Sequence, residues 1–401
     1  MYMRDTAGLP ARRAGACAQA QPALSRRKRD SMKIIHCADV HLDSPMTSFL
    51  TPEKAKERRQ EILRTFLKMI DYAAAHAIRH VLIAGDLFDS RNVTAVTRNA
   101  VLAAFADHPD ICFYYLAGNH DSDTLSGSQE EMPANLKFFG DDWTSYALDD
   151  EKNMRIALTG AELTGENREA LMNSLCPDPR HVNLVMLHGA LSEDDEKNRE
   201  EGIPLGRLRG RGIDYLALGH YHEYREGRID PRGKYCYSGC LEGRGFDECG
   251  PRGFVVVDID DETYHVTTEF VPFAARLVLE VPVDVSGLDT TAAMCARVRE
   301  ALLADASPEH LVKVVLTGEV PVECEKDPEF IAAQFAGDYY WLRVQDDTRL
   351  FVDYRDFRLD ASLKGEFVRT VESDETLSEE RKAEIIRCGI RALMGESEQG
   401  C

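Results

Sequence analysis

The sequence predicts an α/β protein built as a four-layer α-β-β-α sandwich, two sheets flanked by helices, with a small C-terminal α+β capping unit. Three observations point there. Five short apolar runs (KIIHCA, HVLIA, CFYYLA, VNLVML and YLAL) read as strands buried on both faces. Stretches of helical periodicity separate the first of them, the alternation that gives parallel strands with crossover helices. After Phe273 the texture changes to a separate strand, helix and strand pattern.

Taken in order, the first 31 residues carry seven basic and two acidic side chains and end in Arg26-Arg27-Lys28-Arg29 before Met32. They read as a disordered extension without the apolar stretch of a secretory signal, and Met32 reads as the natural start, with the first strand beginning after it. Residues 52–75 have apolar positions at helical spacing, a proline near the start and a charged opposite face, which predicts a crossover helix. Residues 95–107 predict a second. Residues 133–136 and 138–139 predict a short helix leading into a strand, and the charge run 191–201 a solvated loop. Strand patterns at 234–238 and 253–259 are expected to close a second sheet. Beyond, 276–285 and 311–319 read as strands around a helix at 290–304. A last helix is predicted at 378–394, with Ile385, Ile386, Ile390 and Leu393 on one face, reached through the acidic stretch 372–375. The resulting organisation is 1–31 extension, 32–275 main domain, 276–370 capping unit and 371–401 helical segment, the last packing on its own domain or docking a partner.

Composition bounds the class. A chain of 401 residues with 44% hydrophobic content can bury more than one core. No apolar stretch approaches the roughly 18 residues of a membrane span. The 11 cysteines are odd in number and lack a C-x-x-C pair, which argues for reduced thiols and a cytoplasmic setting. Cys236, Cys240 and Cys249 lie closest together but miss the common zinc spacings. A net charge of −21 argues against tight stand-alone binding to nucleic acid.

The chemistry lies where the apolar runs end. Each is followed by hard oxygen or imidazole ligands: Asp39-x-His41, Gly85-Asp86-x-x-Asp89, Gly118-Asn119-His120-Asp121, His188-Gly189 and Gly219-His220-x-His222. Ligands in open α/β sheets bind outside the carboxyl ends of the strands, so separate loops can converge there. A phosphodiester resists hydrolysis because its anionic oxygens repel a nucleophile and its leaving alkoxide is poor. Two cations answer both difficulties, by lowering the pKa of a bound water to yield a metal-bound hydroxide and by clamping the phosphate. A carboxylate between them is the natural bridge, and Asp86 is the candidate.

The motif series resembles the calcineurin-like metallophosphoesterases, and within them the DNA repair exonucleases of the SbcD and YhaO type. The narrower likeness leans on GDLFDS, GNHDS, PANLKFFG and YSGCLEGRGFDECGPRGFVVVDI. The resemblance implies one metal held by Asp39, His41, Asp86 and His222 and a second by Asp86, Asn119, His188 and His220. It implies that His120 faces the scissile phosphate, with Asp121 orienting it. It further implies two divalent ions, manganese first and iron or zinc as alternatives, DNA as substrate, and a coiled-coil ATPase partner of the SbcC/YhaN type, and it admits a homodimer. Some relatives carry histidine where this chain has Asp89, so no substrate role passes to that residue.

Blander readings apply elsewhere. His36, His76, His80, His108, His181, His265 and His310 lack motif support; Asp43, Asp123, Asp141 and Asp142 read as caps or turns. Trp143, Trp341, Tyr339 and Tyr340 read as packing rather than base-stacking residues, since no basic surround accompanies them. Two other functions fit the same motifs: a phosphatase or cyclic-nucleotide phosphodiesterase, and a non-catalytic interaction subunit.

Overall fold

The computed structural model describes residues 31–89, 93–118, 121, 125, 132–148, 156–193, 202–321, 324–351 and 359–393. The predicted extension, apart from Ser31, lies outside them, as do most of the charge run after Glu193 and the last eight residues.

Two six-stranded sheets form the centre. The first runs in the order Val266–Pro272, Gly253–Asp260, Ser31–Cys37, His80–Ala84, Cys112–Leu116, Leu136–Phe138. Its last four strands are parallel, and Gly253–Asp260 lies antiparallel to Ser31–Cys37. The second runs Arg225–Arg228, Lys234–Tyr237, Tyr215–Gly219, Val182–His188, Ile156–Gly160, Thr144–Ala147, with antiparallel strands at both edges.

The apolar runs are continuous because alternate residues face different cores. Ile34, Leu82, Tyr114 and Leu116 meet Leu184, Met186, Tyr215 and Ala217 between the sheets. Their neighbours Ile35, Val81, Ile83 and Phe113 pack outward on the helices Pro52–Ala75 and Ala95–Asp107. On the other side Val185, Leu187, Leu216 and Leu218 pack against Leu171, Met172, Leu205 and Leu208 of the short helices Arg168–Ser174 and Leu205–Leu208. These are the four layers of the predicted sandwich.

Both predicted crossover helices form where their sequences place them. Thr51 caps Pro52–Ala75 by accepting the Lys54 N–H, Pro52 occupies the first turn, and Ile62, Phe66, Met69, Ile70 and Ala73 are its buried stripe. Thr94 caps Ala95–Asp107 in the same way through the Thr97 N–H at 3.2 Å.

Several expectations are corrected. The first strand starts at Ser31, ahead of Met32. Residues 133–136 make a turn closed by the Leu136 N–H on the Pro133 carbonyl, and the strand follows directly without a helix. Gly253–Asp260 belongs to the first sheet, where it lies between the first strand and Val266–Pro272. Residues 190–192 are a short strand paired with Gly202–Pro204, so the start of the charge run is not loop.

The C-terminal unit is a three-stranded parallel sheet of Val278–Asp284, Leu311–Thr317 and Trp341–Asp346. The helices Thr291–Asp305 and Pro328–Phe335 cover it, the second helix and third strand being additions to the predicted pattern. Tyr340 and Trp341 pack at its junction with the main domain, where the Tyr340 ring carries Arg276 at 3.9 Å and Lys54 at 4.1 Å. Trp143 packs under the outer helices and donates to the Leu171 carbonyl at 2.9 Å. The helix Leu363–Glu372 runs through the expected boundary at 370 and pairs with Glu379–Leu393, burying Val368, Val371, Ile386 and Ile390 between them.

Candidate metal centre

The chain leaving the first strand runs alongside the chain leaving the second. Asp39 donates its N–H to the Gly85 carbonyl (3.0 Å), His41 to that of Asp86 (2.9 Å) and Leu42 to that of Leu87 (2.9 Å). This lacing sets Asp39, His41 and Asp86 side by side at the carboxyl ends of the strands. It also demands unusual backbone. Asp39, His41, Asp86 and His220 all have positive φ, at 52°, 47°, 52° and 104°. Such a conformation costs a non-glycine residue about 1–2 kcal/mol, and residues held that way cluster at functional sites.

Asp86 Oδ2 stands 3.6 Å from Nε2 of His41 and 3.4 Å from Nε2 of His188. Nε2 of His41 faces Nε2 of His222 at 3.3 Å. Asp39, His41 and His222 offer ligand atoms within 4.8 Å of one another, and so do Asp39, Asp86 and His188. Asp39 therefore lies in both groups, an addition to the ligand sets the resemblance implied. Its carboxylate also accepts the His220 N–H at 2.9 Å, and the His220 ring stands edge-on to His188 with centroids 5.7 Å apart. Asn119 and His120 lie outside the described residues.

Two of the imidazoles, His188 and His222, have their second nitrogen fixed. His188 Nδ1 lies 2.9 Å from the Ala84 carbonyl, which leaves Nε2 as the free lone pair. That buried Nε2 has no well-formed hydrogen bond. His222 Nδ1 lies 2.7 Å from Glu248 Oε1, again leaving Nε2 to face the cluster. Nitrogen lone pairs and carboxylate oxygens crowded at these distances repel unless protons or cations lie between them, and a mixed His and Asp set suits divalent metals. The residues fit a pair of such ions.

The electrostatics agree. Burial pushes the Asp39 carboxyl up to about 6, against the opposing pull of His188 and His222. For His188 burial works downward, but Asp86 and Asp39 outweigh it and bring the imidazole up to about 9. Protons are retained where cations would compensate the charge.

Asp121 is buried and spends its carboxylate on backbone. It accepts the N–H groups of Phe88 (2.7 Å), Leu87 (3.1 Å) and Gly118 (3.1 Å), and burial raises it to about 7. It thus ties the loop carrying Asp86 to the loop that leads to His120. Gly118 has to be glycine: a Cβ there would stand 2.2 Å from Asp86 Oδ1. Asp89 donates its N–H to the Leu42 carbonyl at 3.0 Å, and Asp43 accepts that of Thr94 at 2.8 Å, so each joins segments distant in sequence, where Asp43 was expected only to cap or turn.

Sequence reasoning missed Glu248, Arg244 and Arg252. All three fall in the glycine-rich stretch after the last histidine motif, where an acid between two arginines was the available signal. No cysteine joins a metal-like cluster among the described residues.

Comparison with known proteins agrees with this geometry. Residues 32–224 match the calcineurin-like phosphoesterase model. The chain is 29% identical to the uncharacterized metallophosphoesterase YhaO of Bacillus subtilis, over 79% of this chain and 82% of that protein. It is 24% identical to the DNA double-strand break repair protein Mre11 of Methanosarcina acetivorans, over 63% of this chain but only 41% of that longer protein. With the protein of that name from Sulfolobus acidocaldarius it shares 22% identity over 77% of this chain and 80% of the relative. From its laced ligand loops and this match, residues 32–224 form a calcineurin-like metallophosphoesterase domain, a hydrolase of ester bonds of the kind that uses a dimetal centre.

Proposed function

We propose that this protein hydrolyses the phosphodiester bonds of DNA, as an exonuclease acting on ends, with manganese as the metal. The observation that carries the chemistry is the position of Asp86 Oδ2 between His41 and His188, one residue from each ligand group. DNA as substrate is supported by the relatives named for double-strand break repair.

In this reading Asp39, His41 and His222 would hold one ion, and Asp86, His188, His220 and Asn119 the other, with Asp86 and Asp39 near enough to both groups to serve either. Bound divalent cations supply an activated water and neutralise charge on the phosphate. His120 donates a proton to the leaving oxygen, and Asp121 keeps its loop against that of Asp86. A coiled-coil ATPase is the partner, docked on the C-terminal helices, and provides much of the DNA affinity that a chain of net charge −21 lacks.

That same charge favours a second reading, a small phosphoester as substrate. The test is to give the manganese-loaded full-length protein linear duplex DNA, covalently closed circular DNA, a cyclic nucleotide and a phosphomonoester. Degradation of linear DNA with the closed circle intact is expected. Turnover of the small esters alone would move the assignment to a phosphatase or cyclic-nucleotide phosphodiesterase, and inertness on all four would leave an interaction subunit.

A further inference from the structure

The loop between Gly243 and Gly250 joins two parts of the molecule that are far apart in sequence. One side of the loop faces His222, whose Nδ1 lies 2.7 Å from Glu248 Oε1. Glu248 is itself only 3% exposed. Arg244 holds it twice, with a backbone N–H 2.6 Å from Oε2 and a guanidinium nitrogen 2.6 Å from Oε1. The buried Arg252 guanidinium then binds the carbonyls of His222 (2.5 Å), Cys249 (2.8 Å) and Glu248 (3.2 Å). Main chain and side chain of His222 are thus both fixed from this loop.

The other side of the loop rests on the C-terminal unit. Gly250 donates its N–H to the Val278 carbonyl at 2.9 Å, at the start of the first strand of that unit. A Cβ on Gly243 would meet both the Val278 side chain and the Glu248 carbonyl at 2.8 Å, so the loop is pressed against that strand. The Phe246 ring lies against Phe49, with centroids 5.4 Å apart, and under the Arg343 guanidinium at 4.8 Å.

We propose that Glu248 is a positioning residue that fixes His222 in its Nδ1–H form, and that the loop carrying it makes this hold depend on how the C-terminal unit is seated. The inference rests on the metal-centre reading of His222. A carboxylate on the far nitrogen of a metal-binding imidazole selects the tautomer and orients the ring, and its loss typically weakens metal binding by about 10–100-fold. Phe246 and the Gly250–Val278 bond lie outside the cluster, so movement of the C-terminal unit reaches His222 through Glu248, through Arg252 and through Arg244, whose guanidinium lies 3.1 Å from His222 Nδ1.

Manganese titrations by calorimetry on the intact protein test this, together with nitrogen NMR of His222 in the metal-free state. The wild type is expected to bind two ions and to show the proton on Nδ1. Glu248→Ala should weaken one ion by about 10–100-fold while leaving the other. Glu248→Gln, which keeps an acceptor, should recover part of that loss, and Phe246→Ala should weaken the same ion by a smaller factor. A proton on Nε2 of His222 in the wild type would overturn the tautomer assignment even if the alanine variant fails to fold. Unchanged affinities in Glu248→Ala would overturn the positioning role, and an unchanged Phe246→Ala would overturn the link to the C-terminal unit. A wild type that binds no pair of ions would instead defeat the metal-centre reading itself.

Discussion

Asp86 places one carboxylate oxygen 3.4 Å from Nε2 of His188, in a pocket where both side chains are almost wholly buried. The same oxygen is 3.6 Å from His41, so truncating it disturbs both ligand groups. Asp86→Ala is expected to lose both ions and to lower turnover by roughly 10³-fold or more, the scale seen when a main stabiliser of transition-state charge is removed. Metal content and single-turnover rates read this directly. A variant that keeps two ions would remove Asp86 from its bridging role.

His120 should behave differently. If it acts only as proton donor, His120→Ala keeps both ions and loses about 10²–10⁴ in rate. The loss should shrink with a substrate whose leaving group needs no proton, such as a nitrophenyl ester. Loss of metal in this variant would reassign the residue as a ligand.

Protons and cations compete for the same atoms, which fixes a pH dependence. In the metal-free protein the carboxyl of Asp39 is raised from an ordinary 3.8 to about 6, and the imidazole of His188 from 6.5 to about 9. Both folded values lie above the unfolded ones, so each group's contribution to stability is complete below its ordinary value. That of Asp39 is lost as pH rises from about 4 to 6, and that of His188 as pH rises from about 6.5 to 9. Metal binding has the opposite slope, since it must displace these protons. Affinity should therefore climb between about pH 5.5 and about pH 8.5, with proton release measurable by calorimetry in buffers of different ionisation enthalpy. A flat profile would contradict the assignment.

A buried ion pair offers a stability test away from the metals. Arg58 is wholly buried on the helix Pro52–Ala75 and lies 2.5 Å from Glu242 Oε2, whose other oxygen accepts the Thr65 hydroxyl and the Ala275 N–H, each at 2.6 Å. Removing Glu242 leaves Arg58 in a dry site with Glu61, at 2.6 Å, as its remaining acidic partner. Glu242→Ala should cost about 3–5 kcal/mol in urea unfolding, and replacing both Arg58 and Glu242 by apolar residues should cost less. Equal losses in the two variants would show that packing, not charge, dominates there.

The C-terminal helices carry the partner proposal. Because Val368 and Val371 pack on Ile386 and Ile390, removing only the last helix would expose the first. Deleting 359–401 as a unit is expected to preserve hydrolysis of a small phosphodiester and to abolish co-purification with a coiled-coil ATPase. Retained association would place the contact elsewhere.

Much of this was legible in the sequence because it is local. The bounds of Pro52–Ala75 follow from Thr51, Pro52 and a periodic stripe, and five apolar runs announce strands that are covered on both faces. What was not legible is pairing. An apolar run such as 253–259 says that it is buried but not beside which strand, and it turned out to neighbour the first strand of the chain. The helix Pro328–Phe335 is too short to stand out by periodicity. Within the site, the motifs named Asp39, His41, Asp86, His188, His220 and His222 as candidate ligands, and the fold brings these side chains together, but the motifs did not name the partners that orient them. Nothing in the spacing of Glu248 and His222 says that their side chains turn toward each other.

The hydrogen bonds that lace residues 39–42 to residues 85–87 have a consequence for how the protein handles a changing metal supply. Asp39, His41 and Asp86 are placed by backbone pairing between the two loops, which does not depend on an ion between their side chains. Loading such a site would need little rearrangement of the main chain. The species bound at any moment would track what the surroundings provide, making activity a readout of the available ion pool.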